Sequence, residues 1–363
     1  MEENMTAVRF LSADRMNTEG FNALLAPFRP VTEPDSRALV AVKYHPGEEG
    51  NSSYVSPGRL KMVIEALELP ARRTYLTDTT VLYGGRRMVA PDYVALVNDH
   101  GFRMPEFPPF IVADGLTGTE EYRVTLPENC TTKTARLAGV LEKTGIAVMV
   151  SHFKGHLLTG FGGSIKNLGM GWAAKAGKIY QHSSVLPMVR SDKCTLCLAC
   201  ISVCGSEAIR EKEGSAFIDG EKCTGCGECL QACPSGAIGI RWNQEANTFM
   251  TRMTEYALGA TMAVDIPLYI NFLTDVSPDC DCMKNEGAPM VEDIGVLASD
   301  DPVAIDQACL DLVTAAEPLC DNAPAGKDKF KKIRPERDGT LQLVTGERIG
   351  LGSRDYELVR VGS

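Results

Sequence analysis

Eight of the chain's thirteen cysteines fall into two runs of a single spacing, and this repeat constrains the fold more than any other feature. Cys194, Cys197, Cys200 and Cys204 stand as C-x2-C-x2-C-x3-C, and Cys223, Cys226, Cys229 and Cys233 repeat the pattern 29 residues later. The flanks repeat too: Lys193-Cys194-Thr195 matches Lys222-Cys223-Thr224, and Ala208-Ile209 matches Ala237-Ile238. Such a repeat implies two halves related by a pseudo-two-fold axis. Three closely spaced cysteines on one tight loop can reach three corners of an iron–sulfur cubane, while the fourth, on the next helical turn, points to the other cluster. This reading assigns Cys194, Cys197, Cys200 and Cys233 to one [4Fe–4S] cluster and Cys223, Cys226, Cys229 and Cys204 to a second. Zinc sites use paired C-x2-C units rather than tandem four-cysteine runs, so zinc is the poorer fit. Ala199, Gly225, Gly227 and Ala232 are small enough for backbone N–H groups to approach the sulfides.

The segment, taken as residues 189–242, resembles the two-cluster bacterial ferredoxins at all eight ligands. It departs from them at Gly205, where a proline is usual and where the second run keeps Pro234. Glycine there is expected to loosen the turn around Cys204 without removing a ligand.

The formal net charge of −10 disfavours nucleic acid, whose phosphates an acidic surface repels, and suits a basic redox partner protein. No apolar run approaches the ~20 residues of a membrane span, and the acidic start Met1-Glu2-Glu3 is followed by no signal-peptide core. A cytoplasmic protein with reduced thiols, no disulfide framework and no membrane contact is the expectation.

Outside the cysteine runs, apolar strand-like stretches alternate with helix-period segments. Strands are predicted over residues 38–45, 74–78, 110–113, 146–151 and 266–274, and helices over 57–69, 90–100, 134–144, 247–263 and 302–315. Gly145 reads as the stop of the third helix, and Asp301-Pro302 as cap and first turn of the last. Alternation of this kind predicts an α/β host domain with a mainly parallel sheet, split into residues 1–188 and 243–363 by an α+β, ferredoxin-like insert. The insert's ends must then lie close together.

The host carries motifs of its own. His152-Phe153-Lys154-Gly155-His156 precedes a glycine-rich stretch, Gly160-Phe161-Gly162-Gly163-Ser164-Ile165-Lys166-Asn167-Leu168-Gly169-Met170-Gly171. Upstream lie Asp78-Thr79-Thr80, Tyr83-Gly84-Gly85-Arg86 and Ala113-Asp114-Gly115-Leu116; downstream lie Asp279-Cys280-Asp281-Cys282, Asp293-Ile294-Gly295 and the run Ser299 to Asp306. In this order the motifs resemble the uncharacterised iron–sulfur centre proteins of the domain-of-unknown-function 362 (DUF362) group. The histidine- and glycine-rich stretch is also reminiscent of the lactate racemase family, which holds a nickel-pincer nucleotide.

A glycine-rich turn after a strand is where α/β proteins place ligands. Gly162, Gly163 and Asn167 are candidate cofactor-binding positions whose backbone amides could face an anion. His152, Lys154, His156 and Lys166 are candidate catalytic groups, and Asp78 and Asp114 candidate acid–base groups at strand ends. Cys280 and Cys282, two apart, can face the same side of an extended chain and are candidate ligands for a further metal. Asp279 and Asp281 are expected to raise those thiols' pKa values. Cys130, Cys309 and Cys320 read as plain thiols, and His45, His100, His182, Arg86 and Arg87 as weaker candidates. The function expected is iron–sulfur redox chemistry, with electrons passing between the insert and a host site that binds a metal or small anion. The alternatives are a pure electron-transfer module and a cofactor-handling or racemase-like enzyme.

Overall fold

The computed structural model describes residues 5–29, 38–182, 186–240, 245–283, 287–319 and 324–362. Eight strands form its central sheet: β1 (Thr6–Ser12), β2 (Leu39–Lys43), β3 (Thr74–Asp78), β4 (Phe110–Val112), β5 (Thr144–His152), β6 (Asp265–Leu273), β7 (Gly295–Ser299) and β8 (Tyr356–Arg360). Their spatial order is β8-β1-β7-β6-β5-β2-β3-β4. Only β7 runs antiparallel to its neighbours β1 and β6; the remaining pairs are parallel. The fold is therefore α/β with a mainly parallel sheet.

Alternation along the strands builds two cores. Ala147 and Met149 of β5 face one layer, with helices Ala246–Ala263 and Pro302–Ala315. Val148 and Val150 face the other, with helices Thr18–Leu25, Pro57–Leu67 and Ala90–Asp99. A strand covered on both faces is apolar throughout, which is why the central strands were legible. Helix Pro57–Leu67 starts where expected, with Ser56 accepting from the Arg59 amide and proline in the first turn. Asp301 caps helix Pro302–Ala315 in the same way.

The predicted helix over 134–144 is not one. Thr134–Ala138 is a strand paired antiparallel with Glu121–Thr125, followed by a 3-10 turn over Gly139–Lys143. Ala135 and Leu137 alternate inward while Arg136 reaches Glu121 at 2.7 Å, a period of two that the short segment had concealed. Gly145, read as a helix stop, lies inside β5. Strands β1, β7 and β8 were not anticipated.

Between helices Lys175–His182 and Ala246–Ala263, the cysteine-rich segment forms its own small core around Ile209, Leu230 and Ile238. Met188–Val189 pairs with Ile238–Gly239 and Ile209–Lys212 with Ser215–Ile218, so the segment's two ends meet in one ladder.

Phe272 is fully buried in β6, its ring 6.0 Å from that of Phe21. Phe272→Ala should cost about 3–5 kcal/mol, whereas the half-exposed Met262→Ala should stay within about 0.5 kcal/mol of wild type; urea unfolding of both variants measures the difference.

Candidate functional site

The chain runs outward from β2 to β3 to β4, then returns to place β5 on the other side of β2. At such a switch point the carboxyl ends of two strands diverge and leave a crevice. A cavity of about 360 Å³ opens there. Lys43 and His45 enter it from the end of β2, Asp78 and Thr79 from β3, and Ser151, His152 and Lys154 from β5. His156, Gly162, Gly163, Lys166, Asn167, Cys280 and Cys282 line it as well, so one cavity gathers most of the sequence-predicted residues. Asp114 does not reach it. Its buried carboxylate accepts from the Thr80 amide at 2.9 Å and hydroxyl at 2.8 Å, bracing the Thr79-Thr80 turn from behind.

Five cations line the cavity of this acidic protein: Lys43, Arg87, Lys154, Lys166 and Lys178. Lys43 is wholly buried, 2.8 Å from Asp78 and 2.8 Å from the Asn167 side-chain oxygen. Burial lowers its pKa and Asp78 opposes the shift. Burial would raise the Asp78 carboxyl, but Lys43, His45 and Arg87 outweigh that and hold it below the usual carboxylate range. Arg87 is buried against Glu48 at 3.0 Å and Tyr83, not exposed as loop arginines usually are, whereas Arg86 pairs with Asp99 near the surface. Sequence reasoning missed Lys43, Tyr83 and Lys178 and undervalued His45, His182 and Arg87. One signal was available: Lys43 ends the otherwise apolar run Leu39-Val40-Ala41-Val42, and a cation buried on a central strand must find an anion.

The cysteine pair also differs from expectation. Asp281 does raise the Cys280 thiol as expected, but larger effects outweigh it, and both aspartates are themselves ion-paired. Asp281 is completely buried between His152 at 2.7 Å and Lys154 at 2.9 Å, and Asp279 pairs with Arg334. The hydrogen bond from Cys282 lowers the Cys280 thiol; burial opposes it, Lys166 and Lys154 lower it further, and the sulfur is held well below the ordinary thiol range. Lys166 Nζ lies 3.4 Å from Cys280 Sγ. Cys282, as the donor of that bond, is raised. His152 is a clamp: its Nδ1 faces Asp281 and its Nε2 the Thr274 carbonyl at 2.8 Å.

The glycine-rich turn serves an internal anion. The amides of Ser164 and Ile165 donate to buried Asp306 at 2.7 and 2.9 Å, and Asn271 Nδ2 adds a third bond at 2.7 Å. A Cβ on Gly163 would stand 2.3 Å from the Asp306 carboxylate, so glycine is required for that approach. Of the three positions expected to face a ligand, Gly162 and Gly163 line the cavity, while the Asn167 amide donates to the Gly163 carbonyl at 3.0 Å.

In the cysteine-rich segment, a small void is lined by Cys194, Cys197, Cys200 and Cys233. Burial, with Cys226, Cys223, Cys200 and Cys204 close by, pushes the Cys229 thiol up to about 12. Leu196 and Leu198 adopt left-handed backbone (φ 50° and 62°), as do their repeat partners Gly225 and Gly227 (φ 68° and 85°). Glu207 and Gly236 match in the same way (φ 50° and 61°). The turn at Gly205 is not loosened: the Glu207 amide donates to the Cys204 carbonyl at 3.0 Å, and the Gly236 amide to the Cys233 carbonyl at 3.1 Å. Among the remaining thiols, Cys130 and Cys309 are buried and Cys320 lies outside the described residues. His100 stacks on Tyr54, away from the cavity. Among the described residues no helix is long and apolar enough to cross a membrane.

Lys178 donates to Thr79 and to the Thr80 carbonyl, and burial lowers its pKa to about 8. A buried lysine with a depressed pKa binds fewer protons folded than unfolded above that value, so its burden on stability eases as pH rises. The stability of wild type relative to Lys178→Met should therefore rise by about 1–2 kcal/mol between pH 7 and pH 9.5, read from urea unfolding at both pH values.

No curated protein matches the chain. Among solved structures it is similar to the lactate racemase apoprotein from Thermoanaerobacterium thermosaccharolyticum, at 14% identity and a TM-score of 0.39. That likeness covers 74% of this chain and 51% of the racemase, so the chain spans about half of that protein's length. The family model described as "Domain of unknown function (DUF362)" matches residues 40–311. Because that match takes in β2 through most of the helix after β7, with the whole cavity and the cysteine-rich segment between them, the chain belongs to the DUF362 family.

Proposed function

We propose that this protein is an iron–sulfur redox protein in which a ferredoxin-like insert, residues 189–242, holds two [4Fe–4S] clusters and exchanges electrons with the host cavity. The observation that carries this reading is the left-handed backbone shared by both cysteine loops. A leucine in that region costs roughly 1–2 kcal/mol, and strain of this kind persists where a site demands it. Leu196 and Leu198 keep the shape that glycine gives the second loop, which is the shape needed to turn three thiolates towards one point. The donor set fits a cluster as well: amides of Ala216, Ala208 and Ala237 reach Cys194, Cys204 and Cys233 Sγ at 3.4, 3.3 and 3.2 Å. When bound, the clusters would supply one-electron chemistry, tuned by such hydrogen bonds.

Each half of the insert has a different outlook, which supports a direction of transfer. Cys197 and Leu198 are exposed, and we assign to them the face that meets a redox partner. The second loop packs on the host: the Thr224 carbonyl accepts from Arg136 at 2.7 Å, and Gln231 donates to the carbonyls of Met88 and Thr117 at 2.8 and 2.9 Å. Ile179, in the helix that also carries Lys178 and His182 to the cavity, belongs to the insert's core. Leu82 does the same from the loop bearing Tyr83 and Arg87. In the cavity, the cations hold a small anionic ligand and the Cys280 sulfur lies beside it.

Anaerobic reconstitution of the full chain should yield about eight iron and eight acid-labile sulfide per chain. Cys197→Ser should lower both to about half. Values near half in the wild type, or no difference between the two proteins, would overturn the two-cluster reading.

A further inference from the structure

We propose that His156, Cys280 and Cys282 form a third metal centre, distinct from the insert, that holds one thiophilic divalent ion with its fourth position open to the cavity. One ligand atom from each residue lies within 4.8 Å of the others. Two thiolates and an imidazole around a tetrahedral ion, with metal–sulfur bonds near 2.3 Å and metal–nitrogen bonds near 2.0 Å, stand roughly 3.5–3.8 Å apart. Small side-chain rotations therefore close the site, and all three residues line the cavity, so a fourth ligand would come from it. The three-ligand, open-face arrangement is that of a reactive metal site rather than a structural one.

The supporting shell points the same way. The Thr159 hydroxyl donates to the Phe161 carbonyl at 2.6 Å, and its oxygen lies 2.9 Å from His156 Nδ1. The backbone amides of Leu158 and Thr159 donate to the same nitrogen at 3.3 and 3.2 Å, so Nδ1 is an acceptor here and the neutral ring carries its proton on Nε2. A metal at Nε2 shifts that proton to Nδ1, where the Thr159 oxygen at 2.9 Å accepts it, as a ligating histidine typically donates its other N–H to oxygen. On the thiol side, Lys166 and the Cys282 amide both reach Cys280 Sγ at 3.4 Å, as donors to a metal-bound thiolate do. Asp281, between the two cysteines, points away and is locked by His152, Lys154 and Ser53, which fixes the loop without spending a ligand. The open position beside Lys43 and Lys166 suits a carboxylate or another small anion. This inference rests on the proposed role of the cavity as the clusters' electron partner, and its test is independent of that role.

The test uses reconstituted full-length protein, anaerobic, with one equivalent of Zn²⁺ as the probe and removal of loose metal by gel filtration. Iron and zinc are then measured separately, with zinc-edge absorption spectroscopy to count ligands. One zinc per chain is expected, bound by two sulfurs and lighter atoms. Cys280→Ala and His156→Ala should each lower zinc retention at least tenfold while iron stays unchanged. Cys197→Ser should lower iron while zinc stays unchanged. Failure of wild type to retain zinc overturns the third centre, as does zinc bound by four sulfurs or retained in Cys280→Ala. Low iron with normal zinc would instead overturn the two-cluster reading alone.

Discussion

The buried carboxylate of Asp281 ties the cysteine loop to the central sheet, and the cavity's geometry depends on it. Two groups from the end of β5, the His152 ring and the Lys154 ammonium, converge on an aspartate with no exposed surface. Burying such a set costs desolvation that its mutual attraction must offset, and removing one member leaves an uncompensated charge inside the fold. The loop therefore cannot drift from the strand end, and Cys280 and Cys282 are held over the same crevice that Lys43 and Asp78 enter from β2 and β3. A second buried carboxylate, Asp306, does the equivalent task for the glycine-rich turn. Both charges are structural, although each sits in a motif that reads as chemistry.

How far the sequence could be read follows from what each residue's neighbours had to be. Strands β2, β5 and β6 were legible because burial on both faces favours long apolar runs such as Leu39 to Val42 and Ile146 to Val150, and helix Pro302–Ala315 because its cap and proline are local signals. The stretch 134–144 was misread because eleven residues with Ala135, Leu137 and Leu141 satisfy a helical period nearly as well as an alternating one. Strands β1, β7 and β8 escaped because a short strand shows its pairing only in three dimensions. At the site, His152 through Asn167 were found together because they are adjacent in the chain. Lys43, Tyr83 and Lys178 come from three separate elements, and their convergence is a property of the strand order. Asp114 has the look of an acid at a strand end, yet it faces the back of its turn, a direction no spacing rule encodes. Asp281 does push the Cys280 thiol up, but Lys166 and Lys154, from elsewhere in the chain, help to outweigh it.

The positive cavity inside a chain of net charge −10 is a further consequence of this convergence. A mean charge describes the surface a partner meets, while the cavity's lining carries five cations, three of them already facing a carboxylate: Lys43 with Asp78, Arg87 with Glu48 and Lys154 with Asp281. The two need not share a sign.

The carbonyls of Met88 and Thr117 each accept from two donors, the Lys175 ammonium on the host helix and the Gln231 side-chain amide on the cysteine-rich segment. In mechanical terms this is a shared rivet. The segment cannot swing like a lobe on a tether without pulling the loop that carries Tyr83 and Arg87, or the helix that carries Lys178. Its distance to the cavity is set by the stiffness of the host rather than by chance encounter.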